Sequence, residues 1–219
     1  NIAFLANLGI PTAEAAASME PVCSISHYLH DPEEPARMPF DDAERFKRVL
    51  VADGLEVYEN LRAFPRTFMV GEAQVIADTD AMYEIMMDPA FDPGKTCLLE
   101  TPLSEPLPED GNTPPGDAKL VKRTNNEVIV EADAARDAIL VLTDAYYPGW
   151  KATIDGVPAE VVPAYRLFRA VRVPKGTHTV RFQFAPWSFR TGMILSTVTL
   201  LAGLVLGGWQ LRRAFSPRG

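Results

Sequence analysis

The chain has 219 residues, a formal net charge of −8 and 47% hydrophobic residues. A chain this acidic, with no basic cluster interleaved with aromatics, argues against nucleic acid as a partner. The charge is unevenly divided: residues 1–110 balance at −14 and residues 111–219 at +6. A basic half can attract anionic headgroups or a phosphate-bearing lipid, or it can be ordinary solvated charge on strand faces.

Taken in chain order, the sequence opens on Asn1, and no basic n-region precedes the short apolar stretch Ile2 to Ile10. It reads as a fragment whose delivering segment lies upstream. Cys23, His27 and His30 form a C-x3-H-x2-H spacing that could in principle present three metal ligands. It matches no standard zinc pattern and has no evident fourth ligand, so no metal is assigned and the histidines read as part of a polar loop. Cys23 and Cys97 could pair in an oxidising compartment or be two separate buried thiols. Leu55 to Tyr58 and Thr67 to Val70 read as short strands. Asp80 to Met87 reads as a helix capped by Asp78 or Thr79, with Met82 and Met86 spaced for core packing. From Pro102 to Asp117 the run PLSEPLPEDGNTPPGD can sustain neither a helix nor an interior strand, because proline fixes φ and lacks a donor. It predicts a linker or long surface loop dividing an α+β segment, 1–101, from a β module, 118–186.

Beyond that point the pattern is β. Glu127 to Glu131 alternates, and Ala138 to Leu142 is a continuous apolar run suited to a strand buried on both faces. Trp150 to Ile154 leads into Asp155-Gly156, a hairpin signal, and Val157 to Val162 returns. Arg166 to Val173 and His178 to Phe184 flank Pro174-Lys175-Gly176, with Val180, Phe182 and Phe184 on one face of the last strand. Short strands at this spacing predict an antiparallel, immunoglobulin-like sandwich without the antibody disulfide.

Thr191 to Leu211 then runs 21 residues without a charge before Arg212 and Arg213. At about 1.5 Å per residue this matches the roughly 30 Å hydrocarbon core of a bilayer. Trp187 and Trp209 suit the two headgroup levels, so 187–213 is expected to be a transmembrane helix with its flanks. Three arginines follow the apolar run and two precede it nearby, which favours a cytoplasmic tail at 214–219 and an extracytoplasmic bulk. Gly203 and Gly207 form a G-x-x-x-G that would let another membrane helix approach closely, or that stands by chance in a glycine-tolerant span.

No motif nominates a catalytic residue: there is no G-x-S-x-G and no paired acid motif. Candidate substrate contacts are Tyr146, Tyr147 and Trp150, whose rings could stack on sugars or touch lipid, or could fill the sandwich edge around the Pro148-Gly149 turn. Arg166 and Arg169 could collect phosphate, although Arg166 and Arg172 would share a strand face that Arg169 does not. Asp144 reads as tying the Pro148-Gly149 turn by hydrogen bonding.

The order LTDAYYPGWKATI at 142–154, DG, YRLFRAVRVPKGTHTVRFQFAPWSFRTG at 165–192 and an apolar span resembles the C-terminal region of the bacterial membrane protein YfhO family. VYENLRAFPRTFMV at 57–70 and FDPGKTCLLE at 91–100 are similar to that family's preceding segment. The resemblance implies a large polytopic protein related to GT-C glycosyltransferases, which use a lipid-phosphate-linked sugar at the outer face of the membrane. Their catalytic carboxylates lie in loops between early transmembrane helices, outside this sequence. The expectation is therefore a non-catalytic extracytoplasmic domain serving cell-envelope glycosylation. It would need no cofactor of its own, while the parent uses a polyprenyl-phosphate sugar donor. Its partners would be the lipid bilayer, the parent's other transmembrane helices and a cell-envelope glycopolymer. The alternative is a non-enzymatic, membrane-anchored binding or structural module.

Overall fold

The computed structural model describes residues 27–30, 32, 42–88, 90–108 and 113–214, with Arg190 and 208–214 as backbone only. The segment Ile2 to Ile10 and Cys23 lie outside the described residues. Strands β1 (His27–His30), β2 (Phe46–Ala52) and β3 (Leu55–Asn60) form an antiparallel sheet in the order β1-β3-β2. His27 and His30 thus sit on a strand rather than a loop. Asp53 and Gly54, at φ 51° and 80°, close the β2–β3 hairpin through the left-handed region that an Asp-Gly pair tolerates.

The body of the chain is a sandwich of two sheets. Six strands are ordered β4 (Thr67–Val70), β9 (Ala138–Ala145), β13 (Phe168–Val173), β12 (Val162–Ala164), β6 (Thr96–Leu99) and β5 (Glu72–Val75). Five are ordered β11 (Val157–Ala159), β10 (Trp150–Ile154), β14 (Gly176–Phe184), β8 (Glu127–Ala134) and β7 (Gly116–Arg123). The pairings are antiparallel except β5 with β6.

Side-chain alternation decides the packing. Leu140 and Leu142 of β9, with Val171 and Val173 of β13, point between the sheets onto Val128, Val130, Val180 and Phe182. The intervening Ile139, Val141 and Ala170 point the other way, onto Met82 and Met86 of helix α1 (Thr79–Met87). Strand β9 is therefore buried on both faces, which is why its sequence is unbroken apolar. Asp78 caps α1, accepting the Ala81 N–H at 2.8 Å. Cys97 is a free thiol on this second face, and burial pushes it up to about 12.

Three expectations change. The segment 102–117 does not separate two units, because β4, β5 and β6 precede it and lie in the same sheet as β9, β12 and β13, which follow it. Proline forbids ladder bonds but not side-chain packing: Leu103 and Leu107 pack against the core, Ser104 bonds Glu160 and Glu105 pairs with Arg172 at 2.6 Å. The return stretch Val157 to Val162 is split, β11 staying with β10 while β12 crosses to the other sheet. Arg166 belongs to the turn before β13, at φ 65°, and so shares no strand face with Arg172.

Helix α2 (Trp187–Ala214) begins three residues after β14 ends at Phe184. Within it, Trp187–Gly207 is a 21-residue stretch of mean hydropathy 1.7, none of it buried by the rest of the protein. The hydroxyls of Thr191, Thr197 and Thr199 donate back to carbonyls one turn earlier, at 3.1, 2.8 and 2.8 Å, which removes free donors from an apolar surface.

Candidate functional site

Alternation along β9 and β13 also places two polar residues between the sheets. Asp144 follows Leu140 and Leu142 on the inward face, and Arg169 precedes Val171 and Val173 on theirs. A register shift between Phe168 and Arg169 breaks the ladder with β9 at this point, as a bulge does where a side chain must be re-aimed. The two residues meet at the end of the inter-sheet core from which α2 emerges. That end is fixed by Phe184, whose N–H bonds the Asn126 carbonyl at 2.9 Å, and by Ala185, whose N–H bonds that of Gly149 at 2.8 Å.

Arg169 is 2% exposed. Its Nη2 lies 3.2 Å from Asp144 Oδ2, and its Nε donates to the Asp144 carbonyl at 3.4 Å. Its guanidinium carbon stands 3.7 Å from the Trp150 ring centroid and 5.8 Å from that of Phe182, a cation–π contact that holds the planar fork in place. Burial lowers Arg169 to about 10, against the opposing pull of Asp144, and Arg123 lowers it further by repulsion. It remains a cation at neutral pH. Asp144 is shared: Arg66 Nη1 reaches Oδ1 at 2.7 Å and Arg123 Nε reaches Oδ2 at 3.6 Å. Three guanidinium groups therefore gather on one carboxylate. Nη1 of Arg169 is buried with no hydrogen-bond partner. Arg123, Thr124, Asn125, Asp144, Trp150 and Arg169 line a pocket of about 320 Å³ at this point.

Of the sequence candidates, the structure brings Trp150 and Arg169 into direct contact and hangs Tyr146 and Tyr147 on the adjoining loop. Tyr147 is 63% exposed and packs on Phe184 at 6.3 Å between ring centroids, as Trp150 does at 5.3 Å. One Trp150 face is thus occupied by Arg169. Arg166 is directed elsewhere: it donates to the Thr79 hydroxyl at 2.6 Å and lies over the Tyr83 ring on α1. Asp144 is an ion-pair hub rather than a tie for the Pro148-Gly149 turn. Arg66 and Arg123 were not singled out from sequence, because their approach to Asp144 depends on pairing across 78 and 21 residues of chain. Gly203 and Gly207 present open space on the bare surface of α2. Among the described residues no cluster of His, Cys, Asp and Glu is arranged to hold a metal ion.

A second pocket, about 520 Å³, lies between β5 and the proline-rich segment, with Arg136 on its wall. The Arg136 guanidinium lies against Gly71, where a Cβ would come within 2.0 Å of it.

Residues 115–196 match the family described as bacterial membrane protein YfhO. No curated protein and no solved structure matches the chain. The matched segment runs from the start of β7 through β14 into the first turns of α2, so it holds most of the sandwich, the Arg169 pocket and the root of the apolar helix. The likeness to the YfhO family thus covers 82 of the 219 residues.

Proposed function

We propose that the chain is the non-catalytic, extracytoplasmic β-sandwich and final transmembrane helix of a polytopic membrane glycosyltransferase that uses a lipid-phosphate-linked sugar in cell-envelope glycosylation. The observation that carries this reading is the short join between sandwich and helix. Only Ala185 and Pro186 separate β14 from α2, so the loop bearing Tyr146 and Tyr147, with Trp150 at the start of β10, is held at the level where the helix would enter the bilayer. Trp187 is 79% and Phe189 67% exposed there, the placement expected of interfacial aromatic rings. Such a domain stands beside a membrane active site and can guide an acceptor glycopolymer or cover the cavity. The catalytic carboxylates would be supplied by loops between the parent's early membrane helices, and Gly203 and Gly207 of α2 can pack against a membrane helix of that parent.

Two measurements test the reading. A Lys175→Cys variant of the full-length protein, expressed in intact cells, should react with a membrane-impermeant maleimide; protection until the cells are lysed would reverse the orientation. Membranes carrying full-length protein should transfer sugar from a polyprenyl-phosphate donor, with transfer falling at least tenfold when residues 42–186 are removed and α2 is retained. Unchanged transfer would favour the alternative, a membrane-anchored binding module, which the basic pocket at Arg169 also suits.

A further inference from the structure

We propose that the pocket at Arg123 and Arg169 is a binding site for the phosphate of a membrane phospholipid headgroup, engaged where the sandwich meets the bilayer. The inference rests on the membrane placement of α2 given above, and it assigns a ligand to a site that the glycosyltransferase reading leaves without one.

Charge is the first argument. Asp144 is the sole carboxylate within 4.0 Å of Arg66, Arg123 or Arg169 among the described residues, so their three positive charges meet one negative charge. On the outer face of the same end, Lys122 and Arg181 likewise share Glu127. The cluster is cationic as a whole, and its deepest member keeps one buried donor without a partner. A buried N–H without a partner is costly, more so on a charged group, and Nη1 of Arg169 is such a donor on a side chain that lines the pocket. A phosphate oxygen entering there would accept from it.

Geometry is the second. The Trp150 ring centroid stands 3.7 Å from the Arg169 guanidinium carbon and Asp144 holds Nη2, so the side chain is fixed at the pocket wall. Arg123, half exposed, can swing from its long 3.6 Å contact with Asp144 onto an anion at the mouth. Arginine suits phosphate because its planar donors match two oxygens at once. Thr124 and Asn125 offer neutral polar groups beside it.

Position selects the source. The pocket loop is bonded to Phe184 through Asn126, and the helix starts three residues later. A phosphate held at that level is one attached to lipid, and a cationic surface beside the bilayer attracts anionic headgroups.

The test uses the full chain purified in a neutral detergent and titrated with dihexanoyl phosphatidylglycerol, with inorganic phosphate and with phosphate-free dihexanoylglycerol. Binding is read from the arginine side-chain NMR signals. Phosphatidylglycerol should shift the Arg169 signal saturably, at least tenfold more tightly than inorganic phosphate, and dihexanoylglycerol should leave it unmoved. Arg123→Gln, on a half-exposed side chain, should weaken phosphatidylglycerol at least tenfold, whereas Lys175→Gln at the opposite end should not. Equal binding of inorganic phosphate and phosphatidylglycerol would overturn the lipid assignment. No shift, or an Arg123→Gln protein that binds as the parent does, would overturn the site. Labelling of Lys175→Cys from outside the cell is scored separately, so the site can fail while the membrane reading stands.

Discussion

The two ends of the inter-sheet core are closed by different chemistry. Away from α2 the sheets are sealed by small residues: Ala132, Ala134 and Ala138 are buried, and Gly116 packs so tightly that an added Cβ would lie 2.0 Å from the Asp133 carbonyl. Toward α2 the same two sheets are sealed by Trp150, Phe182, Phe184 and an arginine-rich ion cluster. Small apolar residues are the simple way to finish a sandwich, since they bury no charge and need no partners. The end of the inter-sheet core that departs from this solution is the one from which α2 emerges.

Substitutions can break or sharpen that contrast. The largest effect is expected at Asp144. Asp144→Ala leaves Arg169 buried without its carboxylate and should cost about 3–5 kcal/mol, measured by urea unfolding of the detergent-solubilised chain. The double change Asp144→Leu with Arg169→Met should recover most of that loss, because it removes both charges together; a double variant as unstable as the single would show that the cluster is needed for packing itself. At the far end, Gly116→Ala should cost about 2–4 kcal/mol, combining strain at φ 109° with a backbone clash. Gly156→Ala at the Asp155-Gly156 turn is the control. Its φ is also positive, at 84°, but nothing lies within 4 Å, so only strain remains and about 1 kcal/mol is expected. Similar losses for the two glycines would refute the tight-seal account.

The smallest effect concerns pH. His178 Nδ1 meets Asp155 Oδ2 at 2.7 Å, which raises His178 and, together with the Thr179 N–H on Oδ1, lowers Asp155. The His178 contribution is fully present below the ordinary histidine value of about 6.5 and is lost as pH rises through its raised value. That of Asp155 is present above the ordinary aspartate range and is lost as pH falls through its lowered value. The hairpin should therefore be firmest between those limits. In an NMR titration the His178 midpoint should lie above 6.5 and fall toward it in Asp155→Asn; an unchanged midpoint would remove the pair.

Much of this architecture was legible because it is local. Alternation marked β8 and β14, unbroken apolarity marked β9, Asp155-Gly156 marked a turn, and the methionine spacing with its aspartate cap marked α1. Asp53-Gly54 carries the same hairpin signal. The proline-rich segment 102–117 misled because its composition reports what its backbone cannot do, whereas its place in the protein is set by Leu103, Leu107 and Glu105. The site was half visible: Trp150 and Arg169 could be named as candidates, but neither their contact nor the roles of Arg66 and Arg123 could be.

The sequence by itself determined a β-rich chain ending in an apolar helix of bilayer length, because periodicity, turn chemistry and hydropathy each act over a few neighbouring residues. Only the tertiary structure decided that strands on both sides of the proline-rich segment share one sheet, and that one half-buried carboxylate collects three arginines. Those outcomes depend on strand order and register, which bring Arg66, Arg123, Asp144 and Arg169 together at distances no sequence spacing encodes.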